Sequence, residues 1–247
     1  MLTTRFSCRS LVVATVVTVA LSASPAQADT IDLVSGSPCV WSLTCGPLPY
    51  TGGTLTLTSN GNFEYKDLNG QMGLGISGSG NTGGEIDVNE YVTGTFSTPT
   101  VVEAFRLLFL YNGPEFGDPI ERAQVSINNG AFVATLIPGL VDNTATWSLG
   151  GATIVNCGAT TESGTGCFDV LMPFGTALVS NITFTALFSG EDPTHNSDFS
   201  LTSLQVSPVR DTTVPEPATW ILLGTGVAAA LRARRRRHLS ATNMPAA

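Results

Sequence analysis

Few residues in this 247-residue chain are equipped for chemistry. A serine-type nucleophile needs a histidine beside it and an acid to orient that histidine. His195 is the one histidine ahead of the C-terminal segment, in the stretch SGEDPTHNSDF with Glu191, Asp192 and Asp198 around it. No G-x-S-x-G elbow accompanies it, so it reads as a solvated loop residue and no catalytic residue is assigned. Two carboxylates facing each other across a cleft would hydrolyse a glycosidic bond, but linear order does not show which acids converge. The stretches EIDVNE (Glu85, Asp87, Glu90) and EDPTHNSD (Glu191, Asp192, Asn196, Asp198) are rich in the oxygens that Ca²⁺ favours. Neither follows an EF-hand or a calcium-binding repeat. Both read as solvated turn acids, and no metal or cofactor is assigned.

Two overlapping G-x-G-x-x-G matches occur, at Gly73, Gly75 and Gly78 and at Gly78, Gly80 and Gly83. A dinucleotide site places such a loop between a strand and a helix, whose N-terminus faces the pyrophosphate. Here EIDVNEYVTGTF follows, which alternates as a strand does, and Glu103 falls about twenty residues on by coincidence. The run from Asn69 to Glu85 is therefore expected to be a loop or a weakly ordered edge. Trp41, Trp147, Tyr50, Tyr91 and Tyr111 offer faces for sugar stacking. Trp147, in TATWSL, reads as core, and Trp41 as a cover over a small cysteine loop.

These residues need elements to hold them, and the elements read as strands. TLTLTS (Thr54–Ser59) and NITFTALFS (Asn181–Ser189) alternate apolar with hydroxyl side chains, the period-two pattern of a half-buried strand. AQVSINNGAFVATLI places two such runs around Asn129-Gly130, a tight-hairpin signal. SLGGATIV suggests a second hairpin at Gly150-Gly151. The more continuously apolar Val101–Tyr111 fits a central strand buried on both faces. Further strands are expected near Ile31–Val34, Asn62–Tyr65, Ile86–Phe96, Ala145–Leu149, Phe168–Leu171 and Phe199–Val206. TPTVV and NGPEFGDPIE read as loops. About a dozen short strands without an amphipathic helix predict an all-β domain at residues 29–208. The expected form is an antiparallel two-sheet β-sandwich or jelly roll, with a closed barrel or short β-helix as runner-up.

Charge is unevenly spread. All 19 acids lie between Asp29 and Glu216, where Lys66, Arg106, Arg122 and Arg210 are the only cations. Such a body repels phosphate backbones, which argues against a nucleic-acid partner. The N-terminus carries Arg5 and Arg9, the apolar run LVVATVVTVAL, and Ala26 and Ala28 at the two positions a signal peptidase reads. Residues 1–28 are expected to be a cleaved signal helix, leaving Asp29 first. Cys8 leaves with it. Cys39, Cys45, Cys157 and Cys167 remain, an even number in an exported chain, which favours disulfides over a zinc site. Three connectivities are possible. The local pairs Cys39–Cys45 and Cys157–Cys167, each bracketing a short loop, are the expected ones.

After a linker at 209–213 come Pro215, Glu216 and Pro217, then the apolar run Ala218–Leu231, then Arg232, Arg234, Arg235, Arg236 and Arg237; a polar tail fills 238–247. As a helix the apolar run is about 21 Å long. A bilayer core of about 30 Å asks for roughly 20 residues, so the run is a short, transmembrane-like helix. The arginines form a cytoplasmic stop that holds the acidic body outside the inner membrane. This order of parts, at residues 214–237, resembles the PEP-CTERM sorting signal of Gram-negative, exopolysaccharide-producing bacteria. The resemblance implies an exosortase, a membrane-embedded cysteine transpeptidase-like enzyme, acting near Pro215-Glu216-Pro217. The chain would then be its substrate, tethered transiently to the inner membrane and passed to the cell surface or exopolysaccharide matrix. The expected role is structural or adhesive and non-enzymatic. A carbohydrate-binding module on the same route is the alternative, and a glycoside hydrolase using paired carboxylates is a more distant one.

Overall fold

A computed structural model describes residues 27–35, 39–78, 83–113, 120–158, 166–188, 197–208, 224–229 and 232. The chain first forms β1 (Asp29–Asp32), β2 (Thr44–Tyr50), β3 (Gly53–Ser59), β4 (Phe63–Leu68) and β5 (Gln71–Ile76). The 20-residue β6 (Tyr91–Leu110) follows, then β7 (Ala123–Ile127), β8 (Phe132–Pro138), β9 (Ala145–Trp147) and β10 (Thr153–Asn156). The last strands are β11 (Gly166–Leu171), β12 (Leu178–Ala186) and β13 (Ser200–Pro208). Every strand pair is antiparallel, and hydrogen bonds join all thirteen into one network.

β6 belongs to two groups of strands. Its first part, Tyr91–Phe96, lies between β3 and β12, within the order β2-β3-β6-β12-β7-β8-β9. Its second part, from Thr100 on, has β13 on one side and, on the other, the start of β12 at Thr100 and Val101 and then β11 from Ala104, within the order β10-β11-β6-β13-β5-β4, with β1 also on β13. The change from β3 to β13 falls at Ser97, Thr98 and Pro99, which are exposed and unregistered with any strand, while β12 pairs on both sides of this bend. Proline, which has no N–H to offer a ladder, is tolerated at such a bend. The Tyr50 hydroxyl donates to Thr98 O, and the Thr54 N–H donates to Ser97 Oγ, fixing the bend from the side of β2 and β3. The sequence expectation split this strand in two with a loop at TPTVV. The structure makes it continuous, and the residues Ile86–Glu90 precede it as irregular chain.

The two groups share one core. Phe105, on the second part of β6, meets Trp147 of β9 at 5.7 Å and Phe184 of β12 at 5.4 Å, ring centre to ring centre. Trp147 also packs on Phe174, and its indole N–H donates to Pro173 O. Trp147 is thus a core residue with its one polar atom satisfied.

Three further expectations are corrected. The glycine-rich run contains β5. Gly73 and Gly75 are there because a Cβ on Gly73 would sit 2.3 Å from Ser200 Cβ, and one on Gly75 2.3 Å from Gly84 O. The Gly150-Gly151 turn does not close a hairpin: β9 pairs with β8 and β10 with β11, so the turn carries the chain from one strand group to the other. β2 lay unrecognised because Pro47 and Pro49 interrupt it; it is an edge strand, where proline is admitted. The Asn129-Gly130 hairpin does form, between β7 and β8, with Asn128, Asn129 and Gly130 all at positive φ.

Cys39–Cys45 and Cys157–Cys167 are disulfides, with Cα atoms 4.6 and 5.2 Å apart. The signal segment through Ala26 lies outside the described residues, as do the linker 209–213, Pro215, Glu216, Pro217 and Arg234–Arg237. Within 214–237 the described residues 224–229 and Arg232 are helical and exposed. No helix among the described residues is long and apolar enough to cross a membrane.

Candidate functional site

Four of the acids read as solvated turn residues, Glu85, Asp87, Glu90 and Asp198, are buried, and Glu121 joins them. Glu85 and Glu121 are fully buried, Glu90 is 3% exposed, and Asp87 and Asp198 are each 8% exposed. Three separate pieces of chain bring them together. Glu85 follows β5, whose Ile76 N–H donates to Glu85 O, and Ile86 N–H donates to Phe199 O beside β13. The Ser200 hydroxyl donates to Gly84 O at 2.6 Å, which locks the segment 84–86 against the start of β13. Glu121 stands just before β7, and Asp198 two residues before β13.

Each acid has a defined partner. Lys66 of β4 lies 2.6 Å from Glu85 Oε2, with its ammonium 4.9 Å from the centre of the Phe109 ring. Asp87 and Glu90 close a small turn: Asp87 N–H donates to Glu90 Oε2 and Glu90 N–H to Asp87 O. Glu121 clamps the two ends of the loop after β6. Its N–H donates to Tyr111 O, and its carboxylate accepts the Tyr111 N–H. Beside it, Arg122 N–H donates to the buried Ser197 hydroxyl oxygen. The carboxyl groups of Glu121 and Asp198 hydrogen-bond to each other, which requires a proton between them.

The electrostatics follow from burial. Loss of water pushes the Glu121 carboxyl well above its usual range; Asp198 and then Glu85 add repulsion, and the Tyr111 N–H opposes it. Burial, then Glu85 and Asp87, push Asp198 up to about 8, against the opposing pull of Lys66. The two carboxyls titrate as a coupled pair, and both take up protons at pH values where free carboxyls are ionised. Among the described residues no group of three or more His, Cys, Asp or Glu is arranged to hold a metal ion. The cluster's chemistry is that of two buried, proton-holding carboxyls beside one ion pair, Lys66 with Glu85.

Other expected sites are dispersed. Glu191, Asp192, His195 and Asn196 lie outside the described residues. Glu103 accepts the Ser207 hydroxyl at 2.6 Å, on β6 beside β13 and not in the glycine-rich run. Trp41 does not cover the cysteine loop: it is 67% exposed, at φ 61°, with its N–H donating to Phe63 O. Linear sequence carried no signal for the pairing of Glu121 with Asp198, whose shared feature is burial.

The C-terminal segment is where the comparison with known families gives an answer. No curated protein and no solved structure matches the chain. A family model for the PEP-CTERM protein-sorting motif matches residues 213–237. That range contains Pro215, Glu216 and Pro217, the apolar run and all five arginines. The chain carries a PEP-CTERM protein-sorting motif, which marks it for exosortase-dependent export and sorting.

Proposed function

We propose that residues 29–208 form a non-enzymatic β-sandwich that exosortase separates from its C-terminal segment and leaves at the cell surface or in the exopolysaccharide matrix, in a structural or adhesive role. The observation that carries this reading is the motif at 213–237, beginning five residues after the last strand ends at Pro208. The fold supports it. β1 starts at Asp29, the residue after the expected signal-peptidase cut. Asp29 pairs with Val206 of β13, so both ends of the body leave from one pole. The Thr51 N–H donates to the Asp29 carboxylate, which secures that pole. A cut near Pro215-Glu216-Pro217 would therefore fall beyond the last strand, leaving residues 29–208 whole.

Carbohydrate binding is the second reading, favoured by the exposed indole of Trp41 on its disulfide-closed loop. Glycoside hydrolysis draws no support from Glu121 and Asp198. A hydrolase pair stands about 5–10 Å apart with sugar or water between, whereas these two carboxyls are hydrogen-bonded and buried. The test is fractionation of the native host with and without active exosortase. The body is expected at the surface or in the matrix in the first strain and in the inner membrane in the second. An identical distribution in both contradicts the reading.

A further inference from the structure

In an Asn-Gly pair the backbone can attack its own side chain. Glycine has no Cβ to shield its nitrogen or restrict its rotation, so that nitrogen can close on the asparagine Cγ. The sequence holds four such pairs, Asn60-Gly61, Asn69-Gly70, Asn112-Gly113 and Asn129-Gly130, and all four lie among the described residues. Closure asks three things of the fold: a carboxamide free to turn, a glycine with room to rotate, and a peptide N–H that can lose its proton.

Three of the pairs are held back. The Asn60 Nδ2 donates to Asn89 O at 2.9 Å, and its Oδ1 accepts the Tyr91 N–H at 3.0 Å. Gly61 is also packed, since a Cβ there would stand 2.5 Å from Ile76 Cγ2. The Asn112 Nδ2 donates to Gly139 O at 3.1 Å and to Asp142 Oδ1 at 3.2 Å, and Glu121 clamps both the N–H and the carbonyl of the adjoining Tyr111. Asn69-Gly70, in the turn between β4 and β5, is exposed and roomy, but the Gly70 N–H donates to the Asp67 carboxylate at 3.0 Å. Taking the proton from an amide that faces an anion is opposed by like charge.

Asn129-Gly130 meets all three conditions. It is the exposed tip of the β7–β8 hairpin, with both residues at positive φ. No hydrogen bond holds the Asn129 carboxamide among the described residues. A Cβ at Gly130 would meet nothing within 4 Å, and the Gly130 N–H donates to a neutral acceptor, Ile127 O, at 3.1 Å. The hairpin is anchored behind its tip: Asn128 Nδ2 donates to Leu178 O, Ser180 N–H to Asn128 Oδ1, and Asn129 N–H to Asn181 Oδ1. The tip can therefore rearrange while the hairpin stays docked on β12.

We propose that Asn129 is a self-modification site, converted by the Gly130 backbone with water as the only co-reactant. The Gly130 nitrogen bonds to Asn129 Cγ, the Cγ–Nδ2 bond breaks, and the amide leaves as ammonia with the proton that nitrogen gave up. Water then opens the cyclic imide at either carbonyl, giving aspartate or isoaspartate. Both products place a carboxylate at the hairpin tip, and isoaspartate adds a methylene to the backbone between Ile127 and Phe132. The test ages the folded, exported full chain in mildly alkaline buffer and maps its peptides for the amide-to-acid mass gain and for isoaspartate. The same chain, reduced and held in denaturant, is the comparison. In the folded protein Asn129 should convert about tenfold or more faster than Asn60 and Asn112, whose carboxamides must first break their hydrogen bonds. It should also lead Asn69. In the unfolded chain the four should convert at similar rates. Asp67→Asn, at an exposed position, removes the anion beneath Gly70 and should raise the Asn69 rate toward that of Asn129. The assignment is overturned if another of the four leads in the folded protein, if the unfolded chain shows the same ranking, or if Asp67→Asn leaves the Asn69 rate unchanged.

Discussion

Asp198 and Glu121 make stability depend on pH in a direction opposite to that of most salt-bridged carboxylates. Their folded-state pKa values lie above the unfolded ones, so between about pH 4 and 8 the folded chain holds protons that the unfolded chain gives up. The stabilising contribution is fully present below the unfolded value and is lost as pH rises through about 8 for Asp198. Thermal melting should therefore fall as pH is raised from 5 to 9, by on the order of 10 °C for a few kcal/mol in a domain of this size. Asp198→Asn removes one titrating member while keeping a hydrogen-bonding side chain. It should flatten this dependence and melt above the parent at pH 9, and a parallel decline in both proteins would refute the assignment of this dependence to the buried pair. A second test concerns Gly75, where an added Cβ would meet Gly84 O at 2.3 Å and the Glu85 backbone at 2.4 Å. Gly75→Ala should cost about 1–3 kcal/mol or more in denaturant unfolding. Gly130→Ala, with open space but φ 85°, should cost about 1 kcal/mol. At this scale the sequence was legible only in part. Glu85 and Asp198 could be singled out as oxygen-rich positions, but Glu121 could not. Their burial depends on β4, β5 and β13 coming side by side, which no local pattern encodes.

Among the elements, β3, β7 and β12 were readable because each alternates cleanly, with Leu55 and Leu57, Val125 and Ile127, and Ile182 and Phe184 inward. β5 was hidden by glycines that serve packing, β2 by prolines admitted at an edge, and the continuity of β6 by Pro99. The same local chemistry signals a turn and a tolerated irregularity, and only the neighbouring strands distinguish them. β6 also ends irregularly. Cys167 and Leu108 are paired, Leu110 and Gly166 are paired, and Phe109 between them bulges at φ 64°. Leu108, Phe109, Tyr111 and Cys167 form a small second core there, closed by the Cys157–Cys167 disulfide ten residues apart. Replacing both cysteines by serine should lower stability by about 2–3 kcal/mol on loop-closure grounds. Differential hydrogen exchange should place the loss in β10, β11 and the end of β6. Unchanged protection in those strands would show that the disulfide is dispensable to the bulge.

The whole molecule is polar in the geometric sense. β13 spans roughly 30 Å, with the Asp198–Glu121 pair at its start and the exit to the sorting segment at its end. β2 runs the same way, from the exposed Trp41 loop to Tyr50 and the Asp29 contact. While tethered, the body would present the acid cluster and the Trp41 loop away from the membrane. The C-terminal signal was the most legible part of the chain, because Pro215-Glu216-Pro217, the apolar run and the arginines form a linear message read before any folding is needed. The fate of the body was less legible, since sorting says where it goes and the surface says what it meets there. The central claim is that residues 29–208 travel as a unit and are cut free near Pro215-Glu216-Pro217. Intact-mass measurement of the surface-associated protein from the native host tests it most directly. The account predicts a product that begins at Asp29 and lacks Arg234–Arg237, whereas a product that retains those arginines would contradict it.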